Sequence, residues 1–144
     1  MQTMRRTQRR TRSARYGVAT VELAIVLPVL IALVFGSIEI CQRLYVKQST
    51  LIAAYEACRV ATRQFSDTAA VQTHAETLLT QQNVHQAVVS IRNMTQGRND
   101  LVDIATGDEI RIRVDVPWGD NTVSHYVIGD SAGSFRVQAF MLRE

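Results

Sequence analysis

A chain of 144 residues makes one domain plus an appendage, and 47% apolar with 20% charged residues is ordinary for a globular protein. The net charge of +3 is uneven: Arg5, Arg6, Arg9, Arg10, Arg12 and Arg15 crowd the first sixteen residues, while the other 128 carry ten basic and thirteen acidic side chains. That distribution argues against a nucleic-acid-binding face on the folded part, and two cysteines exclude a disulfide framework or a four-cysteine zinc site. A dinucleotide-binding unit would consume most of the chain, so a large cofactor enzyme is excluded too.

After the arginines, residues 18–38 read VATVELAIVLPVLIALVFGSI, with Glu22 the single charge. At ~1.5 Å per residue this helix spans ~31 Å, the hydrocarbon thickness of a bilayer. The arginines precede it, and the residues after it are mixed in charge (Glu39, Arg43, Lys47). The positive-inside rule then places the N-terminus in the cytoplasm and residues 40–144 outside. A secretory signal peptide has a shorter apolar core and a small-x-small cleavage site. Phe35-Gly36-Ser37-Ile38-Glu39 lacks that pattern, which favours a retained helix.

Within the span, Pro28 leaves the Ala24 carbonyl without its helical donor and is expected to bend or loosen the helix. Ala32 and Gly36 form a small-xxx-small pair that permits close helix approach, a weak motif by itself. Glu22 either reaches headgroup water at the cytoplasmic interface or has a partner, since a carboxylate at mid-membrane costs roughly 2.5–3.5 kcal/mol.

The window Tyr16-Gly17-Val18-Ala19-Thr20-Val21-Glu22 resembles a type IV prepilin-like signal: a basic leader, a glycine, then an apolar helix with glutamate at its fifth position. The longer stretch Gly17 to Pro28, with Gly36-Ser37-Ile38-Glu39 and Ala53-Ala54-Tyr55-Glu56-Ala57-Cys58-Arg59, is similar to TadE-like minor pseudopilins of the Tad (Flp) pilus system. The closing Val137 to Glu144 is similar only loosely, and Cys41-Gln42-Arg43 departs mildly from the family. The resemblance implies prepilin-peptidase cleavage between Gly17 and Val18, which discards all six arginines. It also implies an inner-membrane assembly platform with its ATPase, and sister pseudopilins or a major pilin, as partners. The Val18 amine would be mostly cationic at neutral pH. Paired with Glu22 of a neighbouring subunit, it would offset the cost of burying that acid and set register.

The outer part continues the helical pattern. Leu44, Gln48, Leu51, Tyr55, Cys58, Thr62 and Phe65 recur at three- and four-residue steps, so one helix is expected from about 18 to 64. Glu56 and Arg59 form an i, i+3 pair on its outer face. Ser66 or Asp67 is a candidate N-cap for a second helix near 67–82, with Val71, Ala75, Leu78 and Leu79 as its apolar stripe. Three strands are expected at 87–94, 109–116 and 135–142. The middle one is the clearest, because Ile110, Ile112, Val114 and Val116 alternate with Arg111, Arg113 and Asp115. Its apolar face should meet a helix and its charged face water. The connections are a polar turn region (96–108) and a longer loop (117–133) whose Trp118, Tyr126, Val127 and Ile128 are expected to tuck under the sheet rather than form a contact patch.

The expected fold class is α+β: a long N-terminal transmembrane and spine helix, a short second helix and an antiparallel sheet of three to four strands, the pilin-like lollipop. Its parts are a leader (1–17), a transmembrane helix (18–39) and an extracytoplasmic domain (40–144). His74, His85 and His125 lack metal-ligand spacing, and no nucleophile elbow or phosphate loop is present. No catalytic residue, metal or cofactor is therefore expected. Cys41 reads as a small packing residue, and Cys58 leaves open an intermolecular bridge. Asn93-Met94-Thr95 has the form of a glycosylation acceptor, of little meaning in a bacterial chain such as the resemblance implies. The expected function is a non-catalytic subunit that initiates, caps or supports a Tad-type pilus or secretion apparatus. The alternative is an uncleaved single-pass protein whose outer domain binds a ligand or partner.

Overall fold

The computed structural model describes residues 10–63, 67–122 and 133–144, with side chains from residue 17 onward. The element order is α1 (Arg10–Ala61), α2 (Thr68–Gln81), β1 (Val88–Asn93), β2 (Glu109–Pro117), a 3-10 turn (Gly119–Asn121) and β3 (Ser134–Leu142). The chain divides into two compact units, Met1–Ile38 and Glu39–Glu144. It is an α+β arrangement, with three strands among the described residues.

β2 is the centre of the sheet. It pairs antiparallel with β1, Ile91 opposite Ile112, and with β3, Val114 opposite Val137. Its strict alternation buries Ile110, Ile112, Val114 and Val116 completely on one face. Each such side chain contributes up to ~1.5–3 kcal/mol. Val89 and Ile91 from β1, and Val137 and Ala139 from β3, extend that face, while Phe135 and Met141 are only half-buried. Pro117 is the last residue of β2, paired with Ser134 of β3.

The buried face of α1 differs from the expected stripe. Leu44, Gln48, Leu51 and Tyr55 are exposed, and Phe65 lies outside the described residues. The face in the core consists of Val46, Ser49, Thr50, Ala53, Ala54, Ala57, Cys58 and Ala61. Most of these side chains are small, so the buried face of α1 is not the one that carries its bulk. Thr50 keeps its hydroxyl satisfied by donating to the Val46 carbonyl at 2.7 Å. The helix begins at Arg10, earlier than expected, and ends at Ala61.

α2 buries Val71, Ala75 and Leu79, with Leu78 partly covered. Its start departs from expectation: Asp67 occupies the N-cap but makes no side-chain capping bond, and Ser66 lies outside the described residues. Thr68 instead turns its hydroxyl outward to accept from the Leu101 amide at 2.9 Å. At the other end Asn83 adopts φ 54°, and the Val84 amide returns to the Leu79 carbonyl at 2.9 Å. This Schellman-type reversal turns the chain and brings Val84 into the core.

The 96–108 connection is not simply a polar turn. Leu101 and Ile104 are buried, and Gly97 (φ 69°) and Gly107 (φ 93°) take left-handed turns that most residues adopt only under strain. The loop is pinned from within. The Asp108 carboxylate accepts from Asn93 Nδ2 at 2.9 Å, Gln96 Nε2 at 2.7 Å and the Ala105 amide at 3.1 Å. The Asn93 amide, in turn, satisfies the Thr95 and Gln96 backbone N–H groups. Asn93 is fully buried, so it is no glycosylation acceptor in the folded chain. Of the aromatic and apolar residues in the 117–133 loop, Trp118 tucks against Phe135, ring centroids 4.3 Å apart, and lies under the Arg43 guanidinium at 5.4 Å. Tyr126, Val127 and Ile128 lie outside the described residues.

Candidate functional site

The N-terminal unit is a helix without cover. From Val18 to Ile38 every large apolar side chain is exposed on all sides, including Val21, Leu23, Ile25, Leu33 and Phe35. A helix apolar all round belongs in an apolar environment. The described residues contain one helix long and apolar enough to cross a membrane, and it is this one, compatible with a single-pass membrane protein.

Gly17 and Val18 lie within α1, exposed, and no atom stands within 4 Å of where a Cβ on Gly17 would sit. Packing within the chain therefore does not require glycine there. The same holds for Gly36, so the Ala32–Gly36 pair meets only open space among the described residues. Glu22 sits one helical turn beyond Val18, exposed, and its carboxylate has no ion pair or hydrogen bond among the described residues. α1 runs unbroken through Pro28. Ser37 Oγ donates back to the Val34 carbonyl at 2.8 Å, which keeps its polar group off the apolar surface. Arg5, Arg6 and Arg9 lie outside the described residues, as do the side chains of Arg10, Arg12 and Arg15.

The stretch Ala53 to Arg59 packs the outer unit. Ala53, Ala54, Ala57 and Cys58 are fully buried, and the outward Glu56 and Arg59 form an exposed pair at 3.5 Å. Such a pair contributes a few tenths of a kcal/mol. Burial pushes the Cys58 thiol up to about 11, against a smaller lowering from a backbone hydrogen bond with Ile112. A buried, protonated thiol is unsuited to the intermolecular bridge left open above. Cys41, expected to pack, is exposed.

The Asn93 amide, then the Ala105 N–H, hold the Asp108 carboxyl below its usual range. Asp108 had no sequence signal, because its donors arrive through the folded loop. His74 and His85 are exposed, and the His85 backbone exchanges two bonds with the Asn121 side chain, at 2.7 and 2.9 Å. His125 lies outside the described residues. Among the described residues no three of His, Cys, Asp and Glu gather where a metal could bind.

Residues 17–59 match the family model described as TadE-like protein. The match starts at Gly17 and takes in both the apolar helix and the buried Ala53–Cys58 face, so this segment is similar to TadE-like proteins. No curated protein and no solved structure matches the chain.

Proposed function

We propose that this chain, TadE-like over residues 17–59, is a minor pseudopilin: a structural subunit that initiates, caps or supports a Tad-type pilus or related secretion apparatus. One observation carries the reading. The family match begins at a glycine that packing does not require, followed by a bare apolar helix whose only charge is Glu22. A prepilin peptidase would cut between Gly17 and Val18. The six arginines orient the precursor across the inner membrane and leave with the leader. The new Val18 amine then pairs with Glu22 of a neighbouring copy, sister pseudopilin or major pilin, once an assembly platform and its ATPase draw the helices together. In that setting Ala32 and Gly36 allow close approach between helices. The outer domain works as a scaffold, not as a catalyst.

The test is the N-terminal residue of protein purified from its native membrane, read by intact mass. The expected N-terminus is Val18. A chain that keeps its leader in cells with an active prepilin peptidase overturns the reading, in favour of an uncleaved single-pass protein.

A further inference from the structure

The outward face of the sheet has a charge pattern that the assembly reading does not use. Its register sets Arg92 of β1 directly opposite Arg111 of β2, with Phe140 of β3 on the far side. The next row holds Ser90, Arg113 and Gln138. Opposed residues in such a ladder stand ~5 Å apart, so like charges there repel. The acids of this face do not compensate. Asp115 is engaged by Arg136 at 2.6 Å, and Glu109 forms no ion pair among the described residues. Among the described residues the guanidiniums of Arg92, Arg111 and Arg113 have no ion pair and no hydrogen bond, and Arg113 Nε is buried without an acceptor. This cluster sits in a domain that is otherwise acidic, with ten basic and twelve acidic side chains in residues 39–144.

The three arginines share a cleft of about 360 Å³ along β1, whose other wall is Thr68 and Gln72 of α2 with Asn99 of the following loop. Guanidiniums match carboxylates and phosphates equally well. The apolar flank separates the two. On the same face Phe140 is 50% exposed, Leu142 61% and Val88 63%. A phosphate has no use for these side chains, whereas arginine beside aromatic and aliphatic groups is the composition of protein interfaces.

We propose that the outward face of the β1-β2-β3 sheet docks an acidic polypeptide segment of a partner protein, its carboxylates on Arg92, Arg111 and Arg113 and its apolar side chains on Phe140 and Leu142. The proposal stands apart from leader cleavage and holds for the cleaved and uncleaved chain alike.

The experiment is selection from a random twelve-residue peptide display library on the full chain in detergent micelles. Recovered peptides should be enriched in Asp and Glu beside apolar residues. Their affinity should fall at least ~10-fold in Arg111→Gln and in Arg113→Gln, and should hold in Arg98→Gln, whose guanidinium is already paired with Asp100 at 3.3 Å. Phe140→Ser should weaken the same peptides. Recovery of no peptide, peptides without acidic enrichment, or equal binding by the arginine variants overturns the proposal. So does displacement of bound peptide by inorganic pyrophosphate or phosphatidylglycerol vesicles at equal charge, which makes this a phosphate site. A concentration-dependent dimer abolished by Arg111→Gln would make a second copy the occupant and overturn it too.

Discussion

Asn93 donates its side-chain amide to the Asp108 carboxylate at 2.9 Å, joining the end of β1 to the residue that precedes β2. The same Asn93 accepts from the Thr95 and Gln96 amides, so one buried side chain organises both ends of a fourteen-residue reversal. Asn93→Ala removes a donor from Asp108 and an acceptor from two backbone groups together. Thermal unfolding in detergent should show a midpoint several degrees lower, while Met94→Ala, next door and exposed, should barely move it. An unchanged midpoint for Asn93→Ala would mean that the loop is held by something else.

The same pair sets an acid limit. The Asp108 carboxyl lies below its ordinary range in the fold, so its ionised form stabilises the native state. That contribution is complete above the unfolded value of ~3.9 and is lost as pH falls through the lowered folded value. Denaturation curves from pH 7 to pH 2 should show stability dropping at the acid end. Asp108→Asn should be less stable at neutral pH and show a shallower acid decline.

Cys58 works in the opposite direction. Its thiol is neutral in both states well below pH 9, and between about 9 and about 11 the unfolded chain ionises while the folded one does not. Stability should decline over that window, and Cys58→Ala should remove the decline. At pH 7.5 a maleimide should label Cys41 in the native protein and reach Cys58 only in denaturant. Rapid native labelling of Cys58 would contradict its burial.

Glu22→Gln keeps the side-chain shape and removes the charge. Membrane insertion and leader removal should be preserved, while pilus assembly should fall at least ~10-fold, scored by surface pilus counts. Normal assembly in this variant would remove the amine–carboxylate pairing.

The α1 face gives a direct packing test. Ala57→Leu forces bulk into a filled core and should cost ~1–3 kcal/mol in denaturant unfolding. Leu51→Ala, on the exposed side, should stay within ~0.5 kcal/mol. The reverse order would restore the bulky stripe as the buried one.

That contrast marks where the sequence is legible. β2 announces itself because Ile110 to Val116 alternate without exception, and a strand has only two faces. The apolar span is equally plain, since nothing polar interrupts it between Glu22 and Ser37. α1 above it misleads, because large apolar residues carry the periodic signal while alanines do the packing. Asn93 with Asp108, and the uncompensated arginines, depend on pairings between strands and loops distant in sequence. Their side chains are visible in the sequence, but their neighbours are not.

The alanine face of α1 also has a practical consequence for handling the domain. By reserving small residues for the core, the helix leaves Leu44, Leu51, Ile52 and Tyr55 facing outward. A fragment cut free of the apolar span would still carry these four side chains into water. Removing the apolar span alone is therefore a poor route to a well-behaved soluble sample, and polar replacements at Leu44, Leu51 and Ile52 are the changes that would spare the core.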